Sequence, residues 1–261
     1  MQTHRLPIAL LALLAVLPSP IRFPSEPVPP EVTAEAWVVV DAETGAAFAE
    51  FNADEARPMA SVTKLMTALV VRDHAELDTR VRVSVEAADV GEAEVGLVAG
   101  EVWSVRDLLG AVLVRSGNDA AYALAEHVGG DLPGFADLMN RKAEQLGLED
   151  SHFVNPHGLD NDDHYTSARD LSVIGAAVLE DPVLAQLTRT RVIRFKPAPT
   201  GNDRIVGNTN HLLGSYPGVV GLKTGYTSKA GRVLVSATES EGRTFVAVVM
   251  GSENHLSLIH I

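Results

Sequence analysis

A serine and a lysine three residues apart, Ser61 and Lys64, are the first residues in this sequence whose types and spacing could do chemistry. They stand at the start of an apolar segment of helical periodicity over 60–71, so both side chains are predicted on one helix face, about one turn apart. A serine hydroxyl becomes a nucleophile when a base takes its proton. A lysine can be that base when burial or a neighbouring cation lowers its pKa. The spacing indicates acyl transfer, although alone it also fits a helix cap beside a surface lysine.

Two further motifs favour the chemical interpretation. Ser116-Gly117-Asn118 interrupts two helical segments, where a hydroxyl and an amide can point into a cleft. Lys223-Thr224-Gly225, followed by Tyr226, comes just before a pair of predicted strands. Random shuffling of this composition gives all three patterns together with a frequency of about 0.003. Chance is therefore a poor explanation for the set.

Hydrophobic periodicity indicates the elements that must position these residues. Segments 36–40 and 46–51 flank a turn sequence and predict a β-hairpin, while capping residues and apolar spacing predict helices after it. The remaining predicted strands are 191–195, 233–237 and 244–250, and the predicted helices begin near residues 60, 104, 119, 131 and 167. If the first hairpin joins the late strands, the fold is α+β, an antiparallel sheet with a helical subdomain inserted between its halves.

Composition excludes several classes of function. The 21 Lys and Arg residues against 34 Asp and Glu give a net charge of −13, and without a basic run a nucleic-acid partner is not expected. The absence of cysteine excludes a thiolate nucleophile and a cysteine-ligated metal. The His and Asp residues over 152–164 do not have the spacing of metal ligands, and the segment is rich in residues that form turns. It is therefore predicted to be a solvated loop beside the cleft. We therefore expect neither a metal nor a cofactor.

The N-terminal segment indicates export. Arg5 precedes an apolar run over 6–17 of signal-peptide length, and six prolines follow over 18–30. These features predict a signal peptide or membrane segment over 1–17, an extended linker over 18–30 and a folded domain from residue 31. The protein is expected to act outside the cytoplasm, either secreted or tethered to the membrane by its N-terminus.

The motifs together resemble those of penicillin-binding proteins and class A β-lactamases. Longer segments are similar to the D-alanyl-D-alanine carboxypeptidases among the low-molecular-mass penicillin-binding proteins: 58–69, 116–121, 125–130, 139–140, 155–159, 167–171 and 221–227. The resemblance covers about residues 34 to 251 and implies that family's fold, a sheet and a helical subdomain with the cleft between them. It predicts a catalytic domain over 31–251, with the helical subdomain at about 61–188.

The resemblance also implies a serine carboxypeptidase reaction of cell-wall synthesis. Ser61 would attack the carbonyl between the two terminal D-alanines of a peptidoglycan stem peptide, and Lys64 would accept its proton. Ser116 would help to protonate the leaving D-alanine, and Asn118 would bind the substrate amide. Water would then hydrolyse the acyl-enzyme, and β-lactams would be covalent inhibitors.

The third motif is implied to bind the substrate. Lys223 and Thr224 would hold the terminal carboxylate, and Gly225 would leave room for an extended substrate backbone beside the sheet. The backbone N–H groups of Ser61 and Tyr226 would form the oxyanion hole.

Three alternatives stay open. A class A β-lactamase shares the fold and motifs, but its deacylating glutamate stands in a Glu-x-x-Leu-Asn pattern that this sequence lacks between its second and third motifs. An endopeptidase that cuts cross-links, or a non-catalytic peptidoglycan-binding module, would carry similar residues. The segment 252–261 does not resemble the helix that follows in the family, and we expect it to be an atypical, truncated tail.

Overall fold

The computed structural model describes residues 32–196 and 203–253, and the predicted leader, linker and most of the 252–261 tail lie outside them. The strands are β1 Ala36–Asp41, β2 Ala47–Phe51, β3 Arg80–Arg82, β4 Val102–Ser104, β5 Val192–Phe195, β6 Arg204–Gly207, β7 Val219–Thr227, β8 Gly231–Ser240 and β9 Arg243–Ser252. The helices are α1 Thr63–His74, α2 Val85–Ala88, α3 Val105–Gly110, α4 Asn118–Gly129, α5 Leu132–Leu146, α6 Ala168–Glu180 and α7 Pro182–Thr188.

The main sheet has five antiparallel strands in the order β2-β1-β9-β8-β7. Strand β1 pairs with β9 from Ala36 opposite Met250 to Asp41 opposite Phe245. The first hairpin therefore joins the last strands, which confirms the predicted α+β sheet. Strand β7 forms one edge of this sheet.

The helices lie in the chain between β2 and β7, and short-range capping starts several of them as predicted. The side chains of Ser104, Asp131 and Ser167 each accept a hydrogen bond from the N–H three residues later, at the starts of α3, α5 and α6. Gly147 ends α5 in the left-handed conformation that glycine adopts without strain. These ends are local features, so the sequence predicts them well.

Helix α1 lies at the centre of the helical part. Its residues from Thr63 to Val71 are all buried, and it packs against α4, α5 and α6. Helix α6 in turn packs on the sheet, where a Cβ built on Gly175 would lie 3.1 Å from Leu222 and Val246 side-chain atoms. Contacts on all sides hold α1, so the residues at its start have defined positions.

Two of the strand predictions are wrong in placement. The Lys223-Thr224-Gly225 motif lies inside β7 and not before the strands, because pairing with β8 supplies the hydrogen bonds that its mixed composition does not suggest. The predicted strand at 191–195 pairs with β6 in a separate two-stranded sheet. Periodicity does not reveal which sheet a strand will join.

Within 32–196 and 203–253, no single helix is long and apolar enough to cross a membrane. Helices α6 and α7 together reach the required length and hydropathy, but they meet at an angle of 109°.

Candidate active site

Ser61 lies in a 3-10 turn, Ala60–Val62, that leads directly into α1. Ala60 has a φ of 51°, a left-handed conformation that is uncommon for alanine. Gly158 approaches this turn so closely that a Cβ on it would collide with the Ala60 carbonyl oxygen. Contacts from a distant loop therefore hold the backbone on which Ser61 stands.

A chain of hydrogen bonds supports the same turn. The Val154 N–H donates to His164 Nδ1 at 3.0 Å, so the imidazole proton belongs on Nε2. Nε2 donates to Thr63 Oγ1 at 2.8 Å, and this hydroxyl donates to the Ala60 carbonyl oxygen at 2.8 Å. His164 thereby orients the carbonyl that precedes Ser61.

The Lys64 side chain is fully buried, and its amine contacts three oxygen atoms. Nζ lies 2.9 Å from Ser61 Oγ, 2.8 Å from Asn118 Oδ1 and 2.6 Å from the His157 carbonyl oxygen. Asn118 Nδ2 donates to the Gly91 carbonyl at 3.1 Å, so its Oδ1 faces the amine. Amide and carbonyl oxygens only accept, so an uncharged amine can direct both N–H bonds to them and its lone pair to the Ser61 hydroxyl.

The electrostatics of the site favour that uncharged amine. Burial, and then the positive charge of nearby Lys223, hold the pKa of Lys64 well below its usual range, although Asp119 and Glu92 act in the opposite direction. Burial also lowers the pKa of Lys223 to about 7. Burial therefore weakens proton binding by both amines, and the charge of Lys223 weakens it further at Lys64.

The lysine and the threonine of the third motif point to opposite faces of β7, as neighbours in a strand do. Lys223 is buried, and its Nζ donates to the Thr224 carbonyl oxygen at 2.7 Å. Thr224 faces the cleft, and its hydroxyl donates to Thr209 Oγ1 at 2.8 Å. Of this pair, the threonine is the residue that a ligand in the cleft can contact directly.

Gly225 brings β7 against the backbone of Ser61. A Cβ built on Gly225 would lie 2.9 Å from the Ser61 nitrogen and 3.0 Å from the Ala60 Cβ. The expected reason for this glycine is space for a substrate, whereas the structure shows close packing of β7 on the Ala60–Val62 turn. Tyr226 follows with its side chain exposed at the cleft.

All eight predicted site residues gather around one cleft of about 780 Å³. Ser61, Ser116, Thr224, Gly225 and Tyr226 line it, whereas Lys64, Asn118 and Lys223 are buried. Ser116 has a φ of 71° and ends a π-helical turn that follows α3. Other polar residues that were not predicted from the sequence also line the cleft, among them Arg115, Thr209 and Arg232.

The prediction of a solvated loop over 152–164 is wrong for two of its histidines. His157 and His164 are 7% and 3% exposed, and burial lowers their pKa values to about 3 and about 4. Asn155 shapes the turn, since its Oδ1 accepts the Gly158 N–H at 2.7 Å. His164 bonds to Thr63, and the His157 carbonyl bonds to Lys64. These contacts span 101 and 93 residues of the chain, so no local signal could have revealed them. In the described part of the chain, no cluster of three or more His, Asp or Glu residues could hold a metal ion.

The site has a serine beside a buried lysine at the start of a central helix, and both face an edge strand with the Lys-Thr-Gly motif. In an α+β fold this arrangement is shared by the penicillin-binding proteins and the class A β-lactamases. The family model described as D-alanyl-D-alanine carboxypeptidase matches residues 24–254. The chain belongs to this family, which confirms the resemblance predicted from the motifs.

The chain is similar to D-alanyl-D-alanine carboxypeptidase DacA of Haemophilus influenzae, with 38% identity over 85% of this chain and 58% of the relative. It is 39% identical to DacB2 of Mycobacterium tuberculosis over 85% of this chain and 76% of the relative. Among solved structures, the Streptomyces K15 DD-transpeptidase is similar with a TM-score of 0.84 and 31% identity, over 88% of this chain and 94% of that chain. The chain thus spans less than two thirds of the Haemophilus relative.

Proposed function

We propose that this protein is a serine D-Ala-D-Ala carboxypeptidase that removes the terminal D-alanine from peptidoglycan stem peptides. The observation that carries the proposal is the buried Lys64 amine, 2.9 Å from Ser61 Oγ and hydrogen-bonded to two oxygens that can only accept. This arrangement suits a general base for a serine nucleophile. The names of the relatives support the substrate class.

Acylation follows from this geometry. Ser61 Oγ attacks the carbonyl carbon between the two D-alanines, and its proton passes to Lys64 Nζ. The resulting ammonium has three N–H donors for its three oxygen neighbours. The N–H groups of Ser61 and Tyr226 stabilise the oxyanion. The C–N bond then breaks, and the proton held by Lys64 passes to the D-alanine nitrogen with the help of Ser116, which leaves Lys64 uncharged again.

Deacylation completes the cycle. Water attacks the ester carbonyl, the bond to Oγ breaks, and Ser61 recovers its proton. A β-lactam acylates the same serine, and because the sequence lacks the Glu-x-x-Leu-Asn pattern, penicillin stays bound instead of being turned over rapidly. Rapid hydrolysis of penicillin would favour the β-lactamase alternative.

The site of action is peptidoglycan outside the cytoplasm. The cell-wall enzymes among the relatives and the apolar run over 6–17 support export. In this proposal, a leader over 1–17 and a linker over 18–30 precede a catalytic domain over 31–251, whose helical subdomain spans about 61–188.

The direct test is release of free D-alanine from a pentapeptide ending in D-Ala-D-Ala. Wild-type protein releases D-alanine and is labelled by a fluorescent penicillin, and Ser61→Ala does neither because the nucleophile is gone. A Ser116→Ala variant keeps the nucleophile and so retains more labelling than Ser61→Ala. Release of D-alanine by Ser61→Ala at the wild-type rate would refute the proposal. A binding module would bind the peptide without releasing D-alanine, and cleavage of cross-linked peptides alone would indicate an endopeptidase.

A DD-transpeptidase is the second candidate, because the K15 enzyme matches over 94% of its own length. In that reaction an amine replaces water as the acceptor of the acyl group. An amine acceptor added to the assay distinguishes the two, since transpeptidation converts the pentapeptide to a new amide as D-alanine is released.

A further inference from the structure

The end of strand β7 is joined to a distant loop by one side chain. Thr227 is the last residue of β7 and directly follows Tyr226. Its hydroxyl donates to Asp160 Oδ1 at 2.7 Å and accepts a hydrogen bond from the Ala230 N–H at 3.0 Å. Asp160 lies 67 residues earlier in the chain, in a loop over 155–164 that we call the supporting loop. The Thr227 hydroxyl therefore connects the turn after β7 to this loop.

An ion pair joins the same two parts of the chain. Lys229, in the turn between β7 and β8, contacts Asp162 of the supporting loop. The side chains of Lys229 and Asp162 are 45% and 94% exposed, so water and salt weaken this pair. We refer to the four side chains of Asp160, Asp162, Thr227 and Lys229 as the clasp. Of its two contacts, the hydrogen bond of Thr227 depends less on salt, because its donor is an uncharged hydroxyl.

The supporting loop also contacts the serine and lysine of the site. The His157 carbonyl accepts a hydrogen bond from Lys64 Nζ at 2.6 Å. Gly158 lies so close to the Ala60 carbonyl that a Cβ on it would collide with that group. Asp160 follows two residues later. The loop that holds the end of β7 is therefore the loop that also fixes the general base and the backbone before Ser61.

The end of β7 carries one of the two oxyanion donors of the proposed mechanism, the Tyr226 N–H. Strand β7 is an edge strand, and in the described part of the chain β8 is the strand that pairs with it, as far as Thr227 opposite Gly231. Tyr226 faces the cleft, so the neighbouring Thr227 side chain points to the other face of the strand. Thr227 can thus influence the reaction through the position of the backbone, without touching the substrate.

We propose that the clasp holds the end of β7 in place, so that the Tyr226 N–H keeps the distance from the Ser61 N–H that stabilises the oxyanion. Thr227 and Asp160 are then positioning residues. The proposal rests on the carboxypeptidase function proposed above, in which both N–H groups bind the oxyanion. It assigns a role in acylation to two side chains outside the three motifs.

The test measures acylation by a fluorescent penicillin over a range of concentrations, which separates the rate constant at saturation from the half-saturating concentration. Thr227→Val keeps the shape of the side chain and removes both of its hydrogen bonds. We expect the rate constant to fall about 3-fold to 10-fold through weaker oxyanion stabilisation. The half-saturating concentration stays within about twofold of wild type, because the clasp does not contact the ligand. Thr227→Ser retains the hydroxyl and stays within about twofold of the wild-type rate constant.

Asp160→Ala tests the same contact from the loop side. It lowers the rate constant by a similar factor, although residue 160 is 66 positions away from Tyr226 in the chain. The double variant Thr227→Val/Asp160→Ala falls no further than either single variant, since all three lack the same interaction. Lys229→Gln changes the rate constant by less than about twofold, because exposed ion pairs contribute little.

Thr44→Val is the matched control. The Thr44 hydroxyl also donates to an aspartate, Asp41 Oδ1, at 3.1 Å, and it also accepts from a backbone N–H, that of Ala46, at 3.3 Å. It lies in the turn between β1 and β2, and β2 is the opposite edge of the sheet from β7. This variant loses equivalent hydrogen bonds and keeps the wild-type rate constant.

The rate constant of labelling does not depend on the fraction of folded protein, which changes only the total label. A variant that folds poorly therefore still gives an answer. Wild-type acylation in both Thr227→Val and Asp160→Ala would overturn the proposal, as would independent, multiplying losses in the double variant. A wild-type protein that takes the label but releases no D-alanine would refute the carboxypeptidase function, while the labelling rates would still decide the role of the clasp. A wild-type protein that takes no label would refute both.

Discussion

At the scale of single residues, the proposed mechanism depends on one buried amine, that of Lys64, whose surroundings favour its uncharged form. Lys64 has three oxygen neighbours, of which only the Ser61 hydroxyl can donate a proton to it. Burial and the charge of Lys223 both oppose its protonation. The same features that make this lysine costly to bury make it a suitable base.

Replacement of this amine tests its role directly. We expect Lys64→Ala to slow acylation of Ser61 by about 100-fold to 10,000-fold, the usual loss when a general base is removed. The rate of labelling by a fluorescent penicillin measures it, and circular dichroism verifies the fold. Arg141→Ala, at an exposed position on α5, serves as the control and keeps the wild-type rate. Acylation of Lys64→Ala at the wild-type rate would exclude Lys64 as the base.

At the scale of elements, the site exists because an edge strand packs against the turn that begins a helix. Strand β7 carries Gly225 to the backbone of Ser61, and the two predicted oxyanion donors belong to that turn and that strand. Their spacing therefore depends on how closely β7 approaches the Ala60–Val62 turn.

An added methyl group at this contact should separate the two elements. We expect Gly225→Ala to slow acylation at least about 10-fold through poorer oxyanion stabilisation. Overpacking should also lower the free energy of unfolding by about 1–3 kcal/mol. Gly207→Ala, in β6, is the matched control, since its nearest neighbour would lie 3.9 Å from the new Cβ. If Gly225→Ala acylates as fast as wild type, close packing at this point is not required for catalysis.

At the scale of the whole molecule, the buried amines reduce stability at neutral pH. The unfolded chain protonates its lysines up to a pKa near 10.5, whereas burial lowers the pKa of Lys223 to about 7 in the folded protein. Between these values the unfolded state binds more protons, so the free energy of unfolding rises with pH and falls as pH drops towards 7. Lys64 acts in the same direction.

Urea unfolding at pH 7, 8 and 9 measures this dependence. We expect Lys223→Met to lower its slope by up to about 1.4 kcal/mol per pH unit, the contribution of one lysine that is uncharged when folded. The variant should also be more stable than wild type at pH 7, although less active. Lys196→Met, at an exposed position, is the control and keeps the wild-type slope. An equal slope in Lys223→Met would show that this amine stays charged when folded.

The parts of the fold that short-range interactions decide were predictable from the sequence. Helix caps such as Ser104 and Ser167 bond to N–H groups three residues away, and the Ser61 and Lys64 spacing follows from one helical turn. Strand β7, which carries the third motif, was harder to predict. Lys223 and Gly225 interrupt its apolar alternation, so only pairing with β8 makes this segment a strand.

The sequence by itself predicted Ser61 as a nucleophile, Lys64 as its base and the residues of the two other motifs as their neighbours, because residue types and local spacings carry that information. Only the tertiary structure decided which distant groups complete the site. The His157 carbonyl reaches Lys64, His164 supports the turn before Ser61, and sheet register places Arg232 opposite Tyr226. These contacts join residues far apart in the chain, and they form only when packing of helices and pairing of strands bring those residues together.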